Sequence, residues 1–364
     1  MSTLAPLELH GDVLALTRTL CDIPSVSGDE RAIADAVEAA LRRHDHLEVL
    51  RNGDAVVART HLGRDTRVLL AGHLDTVPIN DNVPTWTTGA GETEVLHGRG
   101  TVDMKAGVAV QLKLAAELRE PRYDVTYVFY DNEEVAAVRN GLGRLVRENP
   151  EWLAADFGIL GEPTDGTVEG GCQGTMRVKI TVPGVAAHSA RSWLGRNAIH
   201  GAGAVLDTLN RYEARVVDVE GLRYHEGLNA VGIQGGVAGN VIPDECVIFV
   251  NFRFAPDRDP AAAESHVREV FAGHDVVVVD VAPGARPGLD HPSAAEFVAR
   301  VGRPAAAKLG WTDVARLSGL GMPAVNYGPG DPNLAHTDGE HCPVPAIREC
   351  ERVLRGWLTP RPWR

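Results

Sequence analysis

The sequence predicts an α/β protein: a mostly parallel mixed sheet flanked by helices, with a smaller α+β domain inserted into it. Three features predict this. Through the first half, short apolar runs alternate with segments of helical period, which is how strands buried on both faces by crossover helices read. From Thr175 the pattern changes to period-two alternation, as in antiparallel strands with one polar face. From about Pro287 helix and strand signals return, so the chain re-enters its first domain. The expected division is 1–173 for the first part of the main domain, 174–287 for the insertion and 288–364 for the second part. Gly174 and Pro287 punctuate the two junctions and suggest hinges.

Taken in order, DVLALTRTLCDI and AIADAVEAALRRH space their apolar residues as one helix face each. RVLLAGH is a short apolar strand, KAGVAVQLKLAAELRE a helix, VTYVFY a strand, VRNGLGRLVREN a helix and FGIL a strand. In the insertion, MRVKITVPG alternates as a strand and NAIHGAGAVLDTLNRY reads as a helix. The strands GLNAVGIQGGV and ECVIFVNFRFAP follow, then the helix PAAAESHVREVFAG and the strand DVVVVDVAP. No internal repeat, low-complexity run or heptad pattern is present.

Composition narrows the function. The chain has 364 residues, 44% hydrophobic and 23% charged, an ordinary balance for a soluble protein and a length that favours two domains. A formal net charge of -13 argues against nucleic acid or an anionic membrane as partner, because both select basic surfaces. The N-terminus MSTLAPLELHGD lacks the basic-then-apolar pattern of a signal peptide, and no apolar run is long enough to span a bilayer. Five scattered cysteines with no C-x-x-C pair fit reduced thiols rather than a disulfide framework. A cytoplasmic protein is expected.

Four apolar strands end within a few residues of a metal-capable side chain. VLLAGHLD delivers His73 and Asp75, VFYDNEE delivers Glu133 and Glu134, FGILGEP delivers Glu162, and AVNYGPGDPNLAH delivers His336. Asp103, in GRGTVDMKAG, stands just before a helix. Taken singly, each has a plainer reading: a hydrogen-bonded loop histidine, an N-cap aspartate, a pair of acids at a solvated helix start. Taken together they carry more, because the carboxyl ends of strands in an open α/β sheet converge on one crevice. Two histidines and several carboxylates without a cysteine make a nitrogen and oxygen site suited to zinc, or to cobalt or manganese.

GHLDTVP, GRGTVDMKAG, NEE, GEPT and a late AH, in this order along nearly the whole chain, resemble the zinc-dependent deacylases and exopeptidases that include desuccinylases, acetylornithine deacetylase, aminoacylase and glutamate carboxypeptidase. The resemblance implies a zinc-exopeptidase-like catalytic domain carrying an inserted lid and dimerisation domain. It implies two Zn²⁺ per chain, for which Co²⁺ can substitute, bridged by Asp103. His73 and Glu162 would complete one site, Glu134 and His336 the other. Asp75 would accept the second imidazole N–H of His73 and fix its tautomer. Glu133 would take a proton from the attacking water and return it to the departing amine. Adjacent residues point in different directions, so one acid of the pair can bind metal while its neighbour moves protons. A cis peptide at Asp103–Met104 and an acid at Glu340 also follow from the resemblance.

In the insertion, the same resemblance implies that His188 reaches the active site of a second subunit in a homodimer and helps stabilise the oxyanion. Asn240, Arg253 and, more weakly, Arg177 match positions that bind polar or carboxylate groups of a small N-acyl amino-acid substrate. A planar bidentate cation suits a dicarboxylate substrate, although a strand arginine is also an ordinary surface residue. EGGCQGTMRV and NYGPGDPNLAHTDGEHC resemble most the branch that hydrolyses N-succinyl-LL-2,6-diaminopimelate in lysine and cell-wall biosynthesis. Acetylornithine deacetylase, a broader aminoacylase or dipeptidase, and a binding module that has lost its chemistry remain as alternatives.

Overall fold

Strands Arg67–His73, Asp124–Tyr130, Phe157–Leu160 and Ala324–Asn326 are short, apolar and buried along almost their whole length, so they need cover on both faces. They form the parallel centre of an eight-stranded sheet, where Arg67–His73 lies between Asp124–Tyr130 and Phe157–Leu160, and Ala324–Asn326 pairs with the latter. The structure, a computed structural model, describes residues 6–360. The first five residues of the stretch read for a targeting signal therefore lie outside the described residues. Among the described residues no helix is long and apolar enough to cross a membrane.

The chain divides into two compact units. The first comprises the chain through Gly170, Pro287–Ala306 and the residues from Arg316 onward. Its helix Lys105–Glu117 has little amphipathic character because every residue from Lys105 to Ala116 is buried, as expected of a helix enclosed on all sides. It packs between helices Val13–Cys21 and Val344–Leu358 and against strand Arg67–His73. Two features go beyond the sequence reading. The hairpin Glu48–Asn52 and Ala55–Arg59 adds two antiparallel strands to one edge of the sheet, turning through Gly53 at φ 61° in a two-residue loop. Strands Trp86–Thr88, Val95–His97 and His341–Pro343 form a separate three-stranded sheet.

The second unit comprises Gly171–Arg286 together with Ala307–Ala315. Strands Gly227–Gly235, Glu245–Phe254, Gly174–Pro183 and Asp275–Ala282 form an antiparallel sheet in that order. Met176, Val178, Ile180 and Val182 alternate into its core with residues of helices Ala198–Asn210 and Pro260–Val270. The short return through 307–315 was not expected from sequence. It is held where the Gln173 amide donates to the Lys308 carbonyl and the Trp311 indole N–H to the Pro283 carbonyl at 3.1 Å.

Candidate metal centre

Parallel strands place their following residues at one edge of the sheet. His73 ends its strand opposite Tyr130, and the chain beyond Tyr130 turns through Asp131 and Asn132 to Glu133 and Glu134. This segment is a turn; the next helix begins only at Gly141, capped by Asn140. Asn132 has a φ of 59°, which breaks any helical continuation from the strand. Glu162 follows Leu160 by two residues. Asp103 precedes helix Lys105–Glu117, and the Asp103–Met104 peptide is cis. Lys105, buried, anchors the start of that helix by donating to the carbonyls of Leu20 and Ile23. His336 arrives from the loop after Ala324–Asn326 with a φ of 64°, an uncommon conformation for a side chain with a Cβ.

These residues meet. His73, Asp103 and Glu162 form one triad of donors, and Asp103, Glu134 and His336 a second, with the donor atoms of each within 4.8 Å of one another. Asp103 belongs to both: its Oδ1 lies 3.1 Å from His73 Nε2 and its Oδ2 3.2 Å from His336 Nε2. His336 Nε2 is also 2.8 Å from Glu134 Oε1. Glu133 groups with His73 and Glu134 within the same 4.8 Å limit, so it belongs to the same cluster.

The electrostatics follow from crowding acids around two imidazoles. For His73, burial alone would pull the pKa down, but contact with Asp103 and Asp75 overcomes it and raises it well above the ordinary value. His336, bonded to Asp103 and Glu134, is raised to about 10. Burial pushes the Asp103 carboxyl up, yet the two imidazoles more than offset this and hold it below its usual range. Three carboxylates facing two imidazoles form a donor set with excess negative charge, which protons relieve in the free protein and which a pair of divalent cations would neutralise. The residues fit such a pair.

Asp75 meets the second ring nitrogen of His73 through its main chain, with its carboxylate in reach. His73 Nδ1 donates to the Asp75 main-chain carbonyl at 3.0 Å, while the nearer carboxylate oxygen is 3.5 Å away. The carboxylate also accepts the amides of Glu133 and Glu134 at 2.9 and 3.1 Å and the Ser27 hydroxyl at 2.6 Å. Glu30 adds to this support, accepting the amides of Gly28 and Asn132. Ser27 and Glu30 went unnoticed in the sequence because their partners are main-chain groups or a residue far away in the chain. Their one available signal was a polar loop, VSGDE, immediately before a helix.

Residues 69–359 match the model of peptidase family M20/M25/M40. The chain belongs to that family. It is 57% identical over 355 residues to the putative succinyl-diaminopimelate desuccinylase DapE of Mycobacterium tuberculosis, with 97% of this chain and 99% of the relative covered. To the succinyl-diaminopimelate desuccinylase of Corynebacterium glutamicum it is 48% identical over 364 residues, covering 97% and 98%. In fold it is similar to a dinuclear metal binding peptidase of the M20 family from Bacillus subtilis, with a TM-score of 0.70, 19% identity and coverage of 96% and 97%.

The other candidate residues of this M20 chain lie in its second unit. His188 is exposed and pairs across a short ribbon with Val241, beside Asn240, whose carbonyl accepts the Ser189 amide at 2.9 Å. Its Nδ1 accepts the Ala190 amide at 3.1 Å, which leaves the ring proton of the neutral imidazole on Nε2. Arg177 and Arg253 share one face of the antiparallel sheet, through the register Asn251↔Arg177 and Arg253↔Thr175. Arg177 is paired with Asp280 at 3.1 Å. Burial, with repulsion from Arg177 added, pulls the Arg253 guanidinium below its ordinary pKa.

Proposed function

We propose that the chain is a di-metal amide hydrolase that converts N-succinyl-LL-2,6-diaminopimelate and water to succinate and LL-2,6-diaminopimelate. The observation that carries the reaction class is the meeting of two donor triads on Asp103. The acyl group rests on the 57% and 48% identical relatives, since the donors alone do not distinguish succinyl from acetyl.

In this reading His73, Asp103 and Glu162 would hold one Zn²⁺ and Asp103, Glu134 and His336 the other, with Co²⁺ able to replace either. Bound there, the cations supply the positive charge that polarises the scissile carbonyl and makes water more acidic. Glu133 takes a proton from the attacking water and delivers it to the amide nitrogen as the C–N bond breaks. Asp75 holds the Glu133 and Glu134 amides, so the base and its ligand neighbour share one anchor.

His188, with its proton on Nε2, is suited to donate to the oxyanion, and we assign that contact to a second copy of the chain. The homodimer would be built on the insertion, where strand Gly227–Gly235 is a sheet edge and leaves Val231 and Ile233 exposed, and where helix Ala198–Asn210 leaves Ile199 exposed. An open edge with exposed apolar side chains invites a further strand. Arg253, with Asn240 and Arg177, would receive substrate carboxylates, because a cation already penalised by burial gains most from an incoming anion. The free, buried state of all five cysteines fits a reducing cytoplasm.

The test is to incubate the zinc-loaded protein with N-succinyl-LL-2,6-diaminopimelate and with N-acetylornithine, measuring succinate and acetate separately. Succinate release supports the assignment; acetate alone moves the chain to the deacetylase branch.

A further inference from the structure

Arg99 has no place in the chemistry above, yet it is almost wholly buried, with 3% of its surface exposed. Its guanidinium spans three acceptors: Nε donates to the Pro78 carbonyl at 3.2 Å, and Nη1 to the Thr337 carbonyl at 3.2 Å and to Glu340 Oε2 at 2.7 Å. The other oxygen of Glu340 accepts the amides of Val102 and Asp103 at 2.9 and 3.1 Å. One buried ion pair therefore grips the main chain at Asp103 and, through Thr337, the residue next to His336.

The strands beneath keep this pair in register. His97 faces His341 across the small sheet, so the chain leaves His97 toward Arg99 where it arrives from Glu340. The Gly98 amide closes the junction by donating to the Glu340 carbonyl at 3.0 Å. A buried ion pair contributes little net stability, because desolvation offsets the attraction. Its contacts converge on the two loops that bring Asp103 and His336 together.

We infer that Arg99 and Glu340 are positioning residues that set the separation of Asp103 and His336, and so tune metal affinity at the Asp103–Glu134–His336 triad. The inference rests on the di-metal reading. Arg99→Lys keeps the charge but replaces a planar fork by a point donor that cannot span all three acceptors. Glu340→Gln keeps an oxygen for the two amides but turns an N–H₂ group toward Arg99.

The experiment measures Zn²⁺ affinity by chelator competition, the visible spectrum of the Co²⁺-loaded protein, and kcat and KM separately, for wild type, Arg99→Lys and Glu340→Gln. Glu226→Gln is the control, since Glu226 is also buried and bonded to arginines, Arg215 and Arg258, but lies in the second unit. The expected result is a loss of about 10–100-fold in affinity for one of the two ions in each positioning variant. The Co²⁺ spectrum should change and kcat should fall more than KM moves, while Glu226→Gln leaves all three unchanged. If Arg99→Lys does not fold, Glu340→Gln decides alone. Wild-type affinity and spectrum in the folded positioning variants, or equal losses in the control, would overturn the inference and leave the di-metal reading standing. A wild-type chain that takes up no metal overturns both.

Discussion

The carboxylate of Asp75 accepts the main-chain amide of Glu133, Oδ1 to N at 2.9 Å, across 58 residues of sequence. With the Glu134 amide on its other oxygen and the Ser27 hydroxyl beside it, Asp75 fixes the backbone that carries the two neighbouring acids. Asp75→Asn can accept only at its single carbonyl oxygen and faces one amide N–H with another donor. Turnover or metal affinity should fall about 10–100-fold, and Ser27→Ala, which removes one donor only, should lose less. Steady-state kinetics with metal analysis check this; an Asp75→Asn enzyme with wild-type turnover contradicts it.

Glu133→Gln separates proton transfer from metal binding. The variant should keep both zinc ions while kcat drops about 10²–10⁴-fold, the usual contribution of a positioned general base. Because Glu133 also groups with His73 and Glu134, loss of an ion from this variant would place Glu133 among the ligands and exchange the roles of the two acids.

The metal-free protein should show a pH signature from His336. Asp103 and Glu134 raise its pKa from 6.5 to about 10, so the folded state binds this proton more tightly than the unfolded state. Its stabilising contribution is then complete below about pH 6.5 and disappears as the pH rises toward about 10. In chelator-treated samples, the gap in melting temperature between wild type and His336→Asn should be widest near the acidic end of this window and close at its alkaline end. A gap that widens with rising pH contradicts the assignment. Zinc uptake below this range must displace the same proton, so binding should acidify a weakly buffered sample.

Gly107→Ala tests how tightly the helix behind the site is pressed against the strand that leads to Glu162. A Cβ at Gly107 would lie 2.3 Å from the Gly161 carbonyl oxygen. Alanine gains up to about 1 kcal/mol in helix propensity, whereas overpacking costs about 1–3 kcal/mol. The clash should win, lowering stability in urea unfolding and weakening metal binding because Glu162 adjoins the displaced carbonyl. A more stable variant would show that the helix can move away freely.

The donors were legible in the sequence because strand ends announce themselves: His73, Glu134 and Glu162 each follow an apolar run closely, and Asp103 stands at a helix start. The parallel centre of the sheet was readable for the same reason. What stayed hidden was held by main-chain partners. Arg99, Glu30 and Ser27 act on carbonyls, amides or a distant carboxylate, and no spacing encodes those contacts. Strands Trp86–Thr88, Val95–His97 and His341–Pro343, at three residues each, are too short for any periodicity to show. The segment around Lys308 and Trp311 joins the second unit through contacts to Gln173 and Pro283, a long-range choice that local pattern does not carry. Glu133 and Glu134, read alone as a helix start, lie in a turn because Asn132 adopts a left-handed conformation before them.

The most direct test is the zinc content of the dialysed, zinc-loaded protein, measured by elemental analysis beside Asp103→Ala. Two donor triads sharing one carboxylate predict about two zinc ions per wild-type chain and a loss from both positions in the variant, since bridging two cations is what the shared acid provides. A wild-type chain that retains no zinc, or an Asp103→Ala chain that keeps its full complement, would contradict the account.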